Sequence, residues 1–368
     1  MAWAETWSSS WKSRSESPFL GIGLSVGISY FCTVNRFEII RPASGKVFSD
    51  ASASLFGRMD RFFGAEAAEG RHPVFVRFFL SDAQNQMAVL RSMLDAWHLS
   101  GIPAISIVEQ PPLDGSRIAA LVQTASGKKA RLFHSLRLSE EEAAGKDAYA
   151  QSRQLFSQYL DLIRPLGLEM KTHCVRTWIY VRDIDSNYAG LVKARNDVFA
   201  KEGLSHDTHY IASTGIGGAT EGRNAVVAID FLTRPDIRES DKTYLKALSH
   251  LSPTHDYGVA FERGVRLSDG QLFLSGTASI DSRGQVLYEG DVVAQADRLL
   301  ENISELLQEG GSTLEKVPYF VIYLRDISDY PVIEGYMQER FPDVPHVILE
   351  ARVCRPSWLI EMECEVVQ

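Results

Sequence analysis

A chain of 368 residues with 45% hydrophobic and 23% charged side chains has ample apolar material for packed cores, which excludes a disordered or fibrous protein. Its 47 acidic against 38 basic side chains leave a net charge of −9, so the electrostatic footprint of a nucleic-acid or membrane partner is missing. Four scattered cysteines, Cys32, Cys174, Cys354 and Cys364, form neither a disulfide framework nor a CxxC zinc pair, and a reducing cytoplasm is the expected compartment.

In chain order, Phe19–Val34 imitates a signal peptide behind Lys12 and Arg14. Three glycines and two serines interrupt it, Glu5 and Glu16 precede it, and it is too short and polar to span a bilayer. Pro73–Asp82 (PVFVRFFLSD) reads as a strand, Gln86–His98 as a helix, and Ala104–Glu109 with Arg117–Val122 as two closing strands. Arg153–Ile163 has helical spacing and stops near Pro165 and Gly167. Val175–Tyr188 (VRTWIYVRDIDSNY) is a strand closed by Arg-Asp-Ile, and Tyr188–Glu202 is a helix. Val292–Gln308 repeats the first helix, with Val292, Ala296, Leu299, Leu300, Ile303 and Leu307 on one face and Gly310-Gly311 as its stop. Val317–Tyr330 (VPYFVIYLRDISDY) repeats the strand, and Tyr330–Arg340 the second helix.

The recurrence predicts an α+β chain of three units, 18–130, 131–250 and 251–368, running strand, helix, strand, helix, strand, strand where the copy is complete, the first copy being the faintest. Each unit would be a small sheet with two helices on one face. Three open faces gathered about a pseudo-threefold axis would bury one another within one chain, so the expected state is a monomer, with at most weak self-association.

Four runs of the last unit resemble the Rid superfamily, also called the YjgF family. They are Phe273–Asp281 (FLSGTASID), Gln295–Gly311 (QADRLLENISELLQEGG), VIYLRDISDY, and Leu359–Val367 (LIEMECEVV). The resemblance covers nearly all of 258–368 and is thinner over 170–231 and 70–125. It implies three Rid-like, chorismate-mutase-like units forming a pseudo-trimer, with a small-molecule site in a cleft between units. The deaminases of that family hold a substrate carboxylate with an arginine in a Pro-Ala-Arg-Ser type run. Here Pro103-Ala104-Ile105-Ser106, Ile211-Ala212-Ser213-Thr214 and Pro345-His346-Val347 carry none. The family's acid–base glutamate is matched by Ile360-Glu361-Met362-Glu363, whereas Ile118-Ala119-Ala120 and Val226-Val227-Ala228 lack it, so the resemblance implies one site per chain, at Glu361. Strand alternation puts Glu361, Glu363 and Glu365 on one sheet face, and a solvated face of an edge strand is the competing reading.

The run Val353–Glu361 (VCRPSWLIE) resembles the chorismatases, a branch of the same superfamily, and within it the subgroup that forms 3-hydroxybenzoate, where a cysteine stands at the position of Cys354. That resemblance implies cleavage of the enolpyruvyl ether of chorismate. The residue types suit the reaction, because the terminal methylene of an enol ether must be protonated by a carboxylic acid, and an apolar wall such as Trp358 would keep Glu361 protonated. Arg355, Arg352 and Arg263 are the nearest cations for a dianionic substrate. Cys354 is either part of that site or a buried core thiol.

Ser213–Gly218 (STGIGG) is expected as a tight connection. It either turns backbone N–H groups toward a neighbouring cleft, with Ser213, Thr214 and Gly215 touching ligand, or serves turn geometry alone. Ser275-Gly276 matches the family's cleft-lining serine. No Gly-x-Ser-x-Gly elbow, GxGxxG or GxxxxGK[ST] occurs, and His206, His209 and His173 have no third ligand in sequence, so no metal or cofactor is expected. Three functions stay open: a chorismatase-like enzyme giving 3-hydroxybenzoate or a dihydrodiol acid plus pyruvate, a Rid-like enamine or imine hydrolase or tautomerase, and a non-enzymatic metabolite-binding protein. In each the partner is a small carboxylate.

Overall fold

The computed structural model describes residues 23–30, 34–43, 45, 47–97, 104–126 and 130–367. Of the apolar stretch at 19–34, residues 19–22 and 31–33, Cys32 among them, lie outside the described residues, and 23–30 form strand β1 (Gly23–Tyr30). The fold is α+β.

Residues 34–126 form β2 (Val34–Ile40), α1 (Phe48–Ala68), β3 (His72–Leu80), α2 (Ala83–Ala96), β4 (Ala104–Glu109) and β5 (Ile118–Ser126), in the sheet order β2-β5-β3-β4. Helix α1 was not foreseen, because Gly57 and Gly64 interrupt its pattern. Both have room around them, and burial of Leu55, Phe56, Met59 and Phe63 outweighs the roughly 1 kcal/mol each glycine costs. Helix α2 starts where the Asp82 side chain accepts a hydrogen bond from Asn85 N at 3.1 Å.

The order recurs in β6 (Ala130–Arg137), α3 (Glu140–Ala143), α4 (Ala148–Ile163), α5 (Met170–His173), β7 (Cys174–Val181), α6 (Ile184–Lys201), β8 (Ala212–Gly217) and β9 (Val227–Thr233), whose sheet runs β1-β6-β9-β7-β8. The Ser213–Gly218 run is therefore not a connection. It is edge strand β8, parallel to β7 with Trp178 opposite Thr214.

The last stretch holds β10 (Lys242–Leu245), β11 (Gly264–Leu267), β12 (Gln271–Leu274), α7 (Val292–Glu309), β13 (Phe320–Leu324), α8 (Tyr330–Arg340), β14 (His346–Glu350), β15 (Ile360–Glu363) and β16 (Glu365–Val367). Its sheets are β10-β11-β12-β16 and β14-β13-β15, with Cys364 alone separating β15 from β16. Two strands cross the boundaries read from the sequence: β1 pairs with β6, and β10 pairs with β11. Among the described residues no helix is long and apolar enough to cross a membrane.

Register ties the three stretches together. Glu361 stands opposite Tyr323, Ala228 opposite Tyr180, and Ala119 opposite Phe79, each at the same place on its closing strand. The free edge of β8 meets the last stretch through bridges Ala212↔Glu262 and Ile216↔Val353, and Gly217 N donates to Arg352 O at 2.8 Å. A Cβ on Gly217 would lie 2.7 Å from Arg352 N, so glycine permits that approach. The site lies along this seam.

Candidate active site

Strand β15 is no edge. It lies between β13 and the chain at Thr277, which exchanges two backbone hydrogen bonds with Met362 (2.9 and 3.1 Å), and Glu361, Glu363 and Glu365 are all buried. The solvated-face reading fails because both sides of the strand are covered.

The first two glutamates point the same way into different surroundings. Glu363 accepts hydrogen bonds from Arg176 (2.9 Å), Arg77 (3.3 Å), Trp178 Nε1 (3.0 Å) and the Thr214 hydroxyl (2.5 Å). Four donors satisfy the hydrogen-bonding capacity of this buried carboxylate. Glu361 is 4% exposed, and no described residue donates a hydrogen bond to its carboxyl. Its carboxyl lies over Gly276, where a Cβ would come within 2.0 Å of Oε1. Burial, and then the nearby charge of Glu363, push its pKa up to about 8 against the pull of Arg176 and Arg263. Near neutral pH this group is a carboxylic acid with a proton to give.

Glu361 forms part of the wall of a narrow cleft open to solvent. Ser213 and Gly215 of β8 line it, as do Gly276, Cys354, Trp358 and, on an apolar side, Val259 and Phe261. Burial drives the Cys354 thiol up to about 12, so it is a neutral S–H beside Tyr188 rather than a thiolate nucleophile. Trp358 Nε1 is buried without a hydrogen-bond partner among the described residues.

Three guanidinium groups reach the cleft. Arg263 donates to Ser252 O at 3.0 Å and lies 5.3 Å from the Phe261 ring centre, while Arg355 stacks 5.0 Å over Trp358. The third, Arg195 on α6, was missed in the sequence. It is 1% exposed, and its Nε and Nη2 have no hydrogen-bond partner among the described residues. A buried guanidinium with unpaired N–H groups is costly unless an anion completes it. A signal existed: Arg195 interrupts the buried stripe of α6 between Leu191, Val198 and Phe199, where a cation needs a reason to be.

Other expected contacts fall elsewhere. Arg352 is 61% exposed and pairs with Asp185 at 2.9 Å, so its side chain leaves the cleft and only its backbone serves the seam. The Ser275 hydroxyl is buried behind the wall, accepting from Ser213 N at 2.8 Å and donating to Glu262 O. Thr214 turns its hydroxyl to Glu363 and accepts from Gly276 N at 2.9 Å. These two residues hold β8 against the third stretch, and a ligand would not meet them. Among the described residues no three His, Cys, Asp or Glu side chains gather as a metal set.

The family model described as Endoribonuclease L-PSP matches residues 251–368. The 3-aminoacrylate deaminase RutC of Acinetobacter baylyi is 32% identical over 97 residues, 26% of this chain and 77% of that protein. The chain belongs to the Rid superfamily. A solved chorismatase, 19% identical, superposes on this Rid-superfamily chain with a TM-score of 0.64, covering 93% of this chain and 100% of its own. The likeness is one of fold, and it takes in nearly the whole molecule rather than the C-terminal stretch alone.

Proposed function

We propose that this protein is a chorismatase-like enzyme, three Rid-like units folded as a pseudo-trimer, that cleaves the enolpyruvyl ether of chorismate at the single seam carrying Glu361. The observation that carries this reading is the Glu361 carboxyl: buried, without a donor among the described residues, and facing a cleft that three guanidinium groups reach. Glu361 gives its proton to the enol-ether methylene, the ether carbon becomes an oxocarbenium centre that water can attack, and pyruvate departs. General-acid assistance of this kind supplies roughly 100-fold or more. Arg195, Arg263 and Arg355 pair the two substrate carboxylates, with the ring against Trp358, Val259 and Phe261. Hydrolysis alone leaves the dihydrodiol acid; 3-hydroxybenzoate forms when the ring also loses its 4-hydroxyl and the hydrogen on C3 as water, and the Cys354 thiol lining the cleft is the group we assign to steering the ring toward that loss.

The likeness to a deaminase supports a second reading, hydrolysis of an enamine or imine by the same acid. Against it stands Ser213 on β8, where the family's carboxylate-binding arginine is absent. Incubation of pure protein with chorismate, following loss of diene absorbance and pyruvate release, tests the first reading. Ammonia release from a 2- or 3-aminoacrylate source without chorismate turnover would replace it with the second.

A further inference from the structure

One polar residue of α7 reaches toward the candidate acid without lining the cleft. Gln295 is fully buried and spends its whole carboxamide on backbone: the nitrogen donates to Tyr288 O (3.2 Å) and Ser357 O (2.9 Å), and the oxygen accepts from Leu359 N (2.9 Å). The last two bonds bracket Trp358, the ring that walls the cleft on the approach to β15 and carries Arg355 on its face. The second stretch contains the same device. Gln151 on α4, equally buried, donates to Lys146 O (2.9 Å) and Asn224 O (2.8 Å) and accepts from Val226 N (2.8 Å). Register makes Asn224 the counterpart of Ser357 and Val226 that of Leu359. Two glutamines therefore grip equivalent backbone, and only one of those strands continues into the glutamate.

We infer that Gln295 is a positioning residue for Glu361: by clamping the chain on both sides of Trp358 it keeps that ring packed on the cleft wall and water away from the carboxyl. The inference rests on Glu361 being the general acid. Burial is the largest influence on that carboxyl, ahead of every charge near it. Those charges come from Glu363 on its own strand, Arg176 on β7, Arg263 before β11 and Arg195 on α6, with Arg355 on the loop before β15. The neutral groups that titrate nearby are Tyr323 on β13, Tyr188 on α6 and Cys354. Among the described residues none of these hydrogen-bonds Gln295, so a change at 295 acts on Glu361 through packing and hydration.

The internal repeat supplies the control. Gln295→Leu and Gln151→Leu each leave equivalent backbone groups unpaired in buried surroundings, and both should lower Tm to a similar extent. Only Gln295→Leu should bring the titration midpoint of Glu361 down, by about one pH unit or more. That midpoint is read without substrate, from the pH dependence of Tm for each variant minus that of the same variant carrying Glu361→Gln. With chorismate, the alkaline limb of the kcat/KM profile should move by the same amount for Gln295→Leu and stay in place for Gln151→Leu. If Gln295→Leu does not fold, the neutral pair Gln295→Met and Gln151→Met is measured in the same way. Equal Glu361 midpoints in the 295 and 151 variants would overturn the inference and leave Gln295 a structural residue. Absence of chorismate turnover by the unmodified protein would remove the ether-cleavage reading, and the substrate-free midpoints would still decide the role of Gln295.

Discussion

At the open seam, Thr277 pairs with Met362, so Ala278 and Glu361 adjoin across neighbouring strands; in the second stretch the matching register sets Arg137 opposite Ala228. The chemistry is exchanged between the two strands. Arg137 donates to Asp230 (2.8 Å) and to Ile107 O (3.2 Å), and by register Ile107 on β4 stands where the open seam has Gly215 on β8. At the third place Arg41 follows β2, past the pair Ile40↔Ala120; it donates to His346 O at 2.7 Å and pairs with Asp114. A glutamate beside small residues leaves a cleft with a free acid. An alanine beside an arginine fills the equivalent place with the protein's own cation. Of these three comparable places among the described residues only one carries the candidate site, and a few side-chain sizes and charges decide which.

The largest effect expected from breaking this arrangement is structural. Arg176→Met removes a buried partner of Glu363 and should cost about 3–5 kcal/mol, measured by denaturant unfolding, because it leaves a buried carboxylate short of its counter-charge. A loss below 1 kcal/mol would mean that the network is far better hydrated than its burial implies. Next comes Glu361→Gln, which keeps shape and removes the acid: chorismate turnover should fall roughly 100-fold or more while binding survives. Unchanged turnover would sink the general-acid assignment.

Arg195→Met sharpens the comparison from the other side. Removing a buried cation with unpaired N–H groups should raise the Tm of the ligand-free protein and weaken binding of dicarboxylate ligands about tenfold in thermal-shift titration. A residue needed only for structure would lower Tm instead. The pH dependence follows from the raised pKa of Glu361. A carboxyl whose pKa is higher folded than unfolded contributes stability that is fully present below the unfolded value near 4.5 and is lost as pH rises through about 8. Glu361→Gln escapes that loss, so its Tm advantage over the unmodified protein should grow between about pH 4.5 and 8 and then level off. A pH-independent difference would show that Glu361 titrates normally. The smallest catalytic effect belongs to Arg137→Ala: it should lower stability through the lost partner of Asp230 and leave kcat/KM at the open cleft unchanged.

Much of this was legible in the sequence because it depends on short-range pattern. Helical spacing in Val292–Gln308, the twin runs ending Arg-Asp-Ile, and the Ile-Glu-Met-Glu strand set the elements, the repeat and the position of Glu361 along its strand. Other features depend on what lies across a seam, which no local pattern encodes. Tertiary packing alone turned β8 from a connection into an edge strand, gave β10 to the third sheet, and carried the Arg352 side chain outward while bringing Arg195 in from α6. It also separated Glu361 from Glu363. Two residues apart on one face, they are alike by sequence; donors from β3, β7 and β8 tie one into the core as a structural carboxylate, and the lack of donors among the described residues at the other leaves an acid in a cleft.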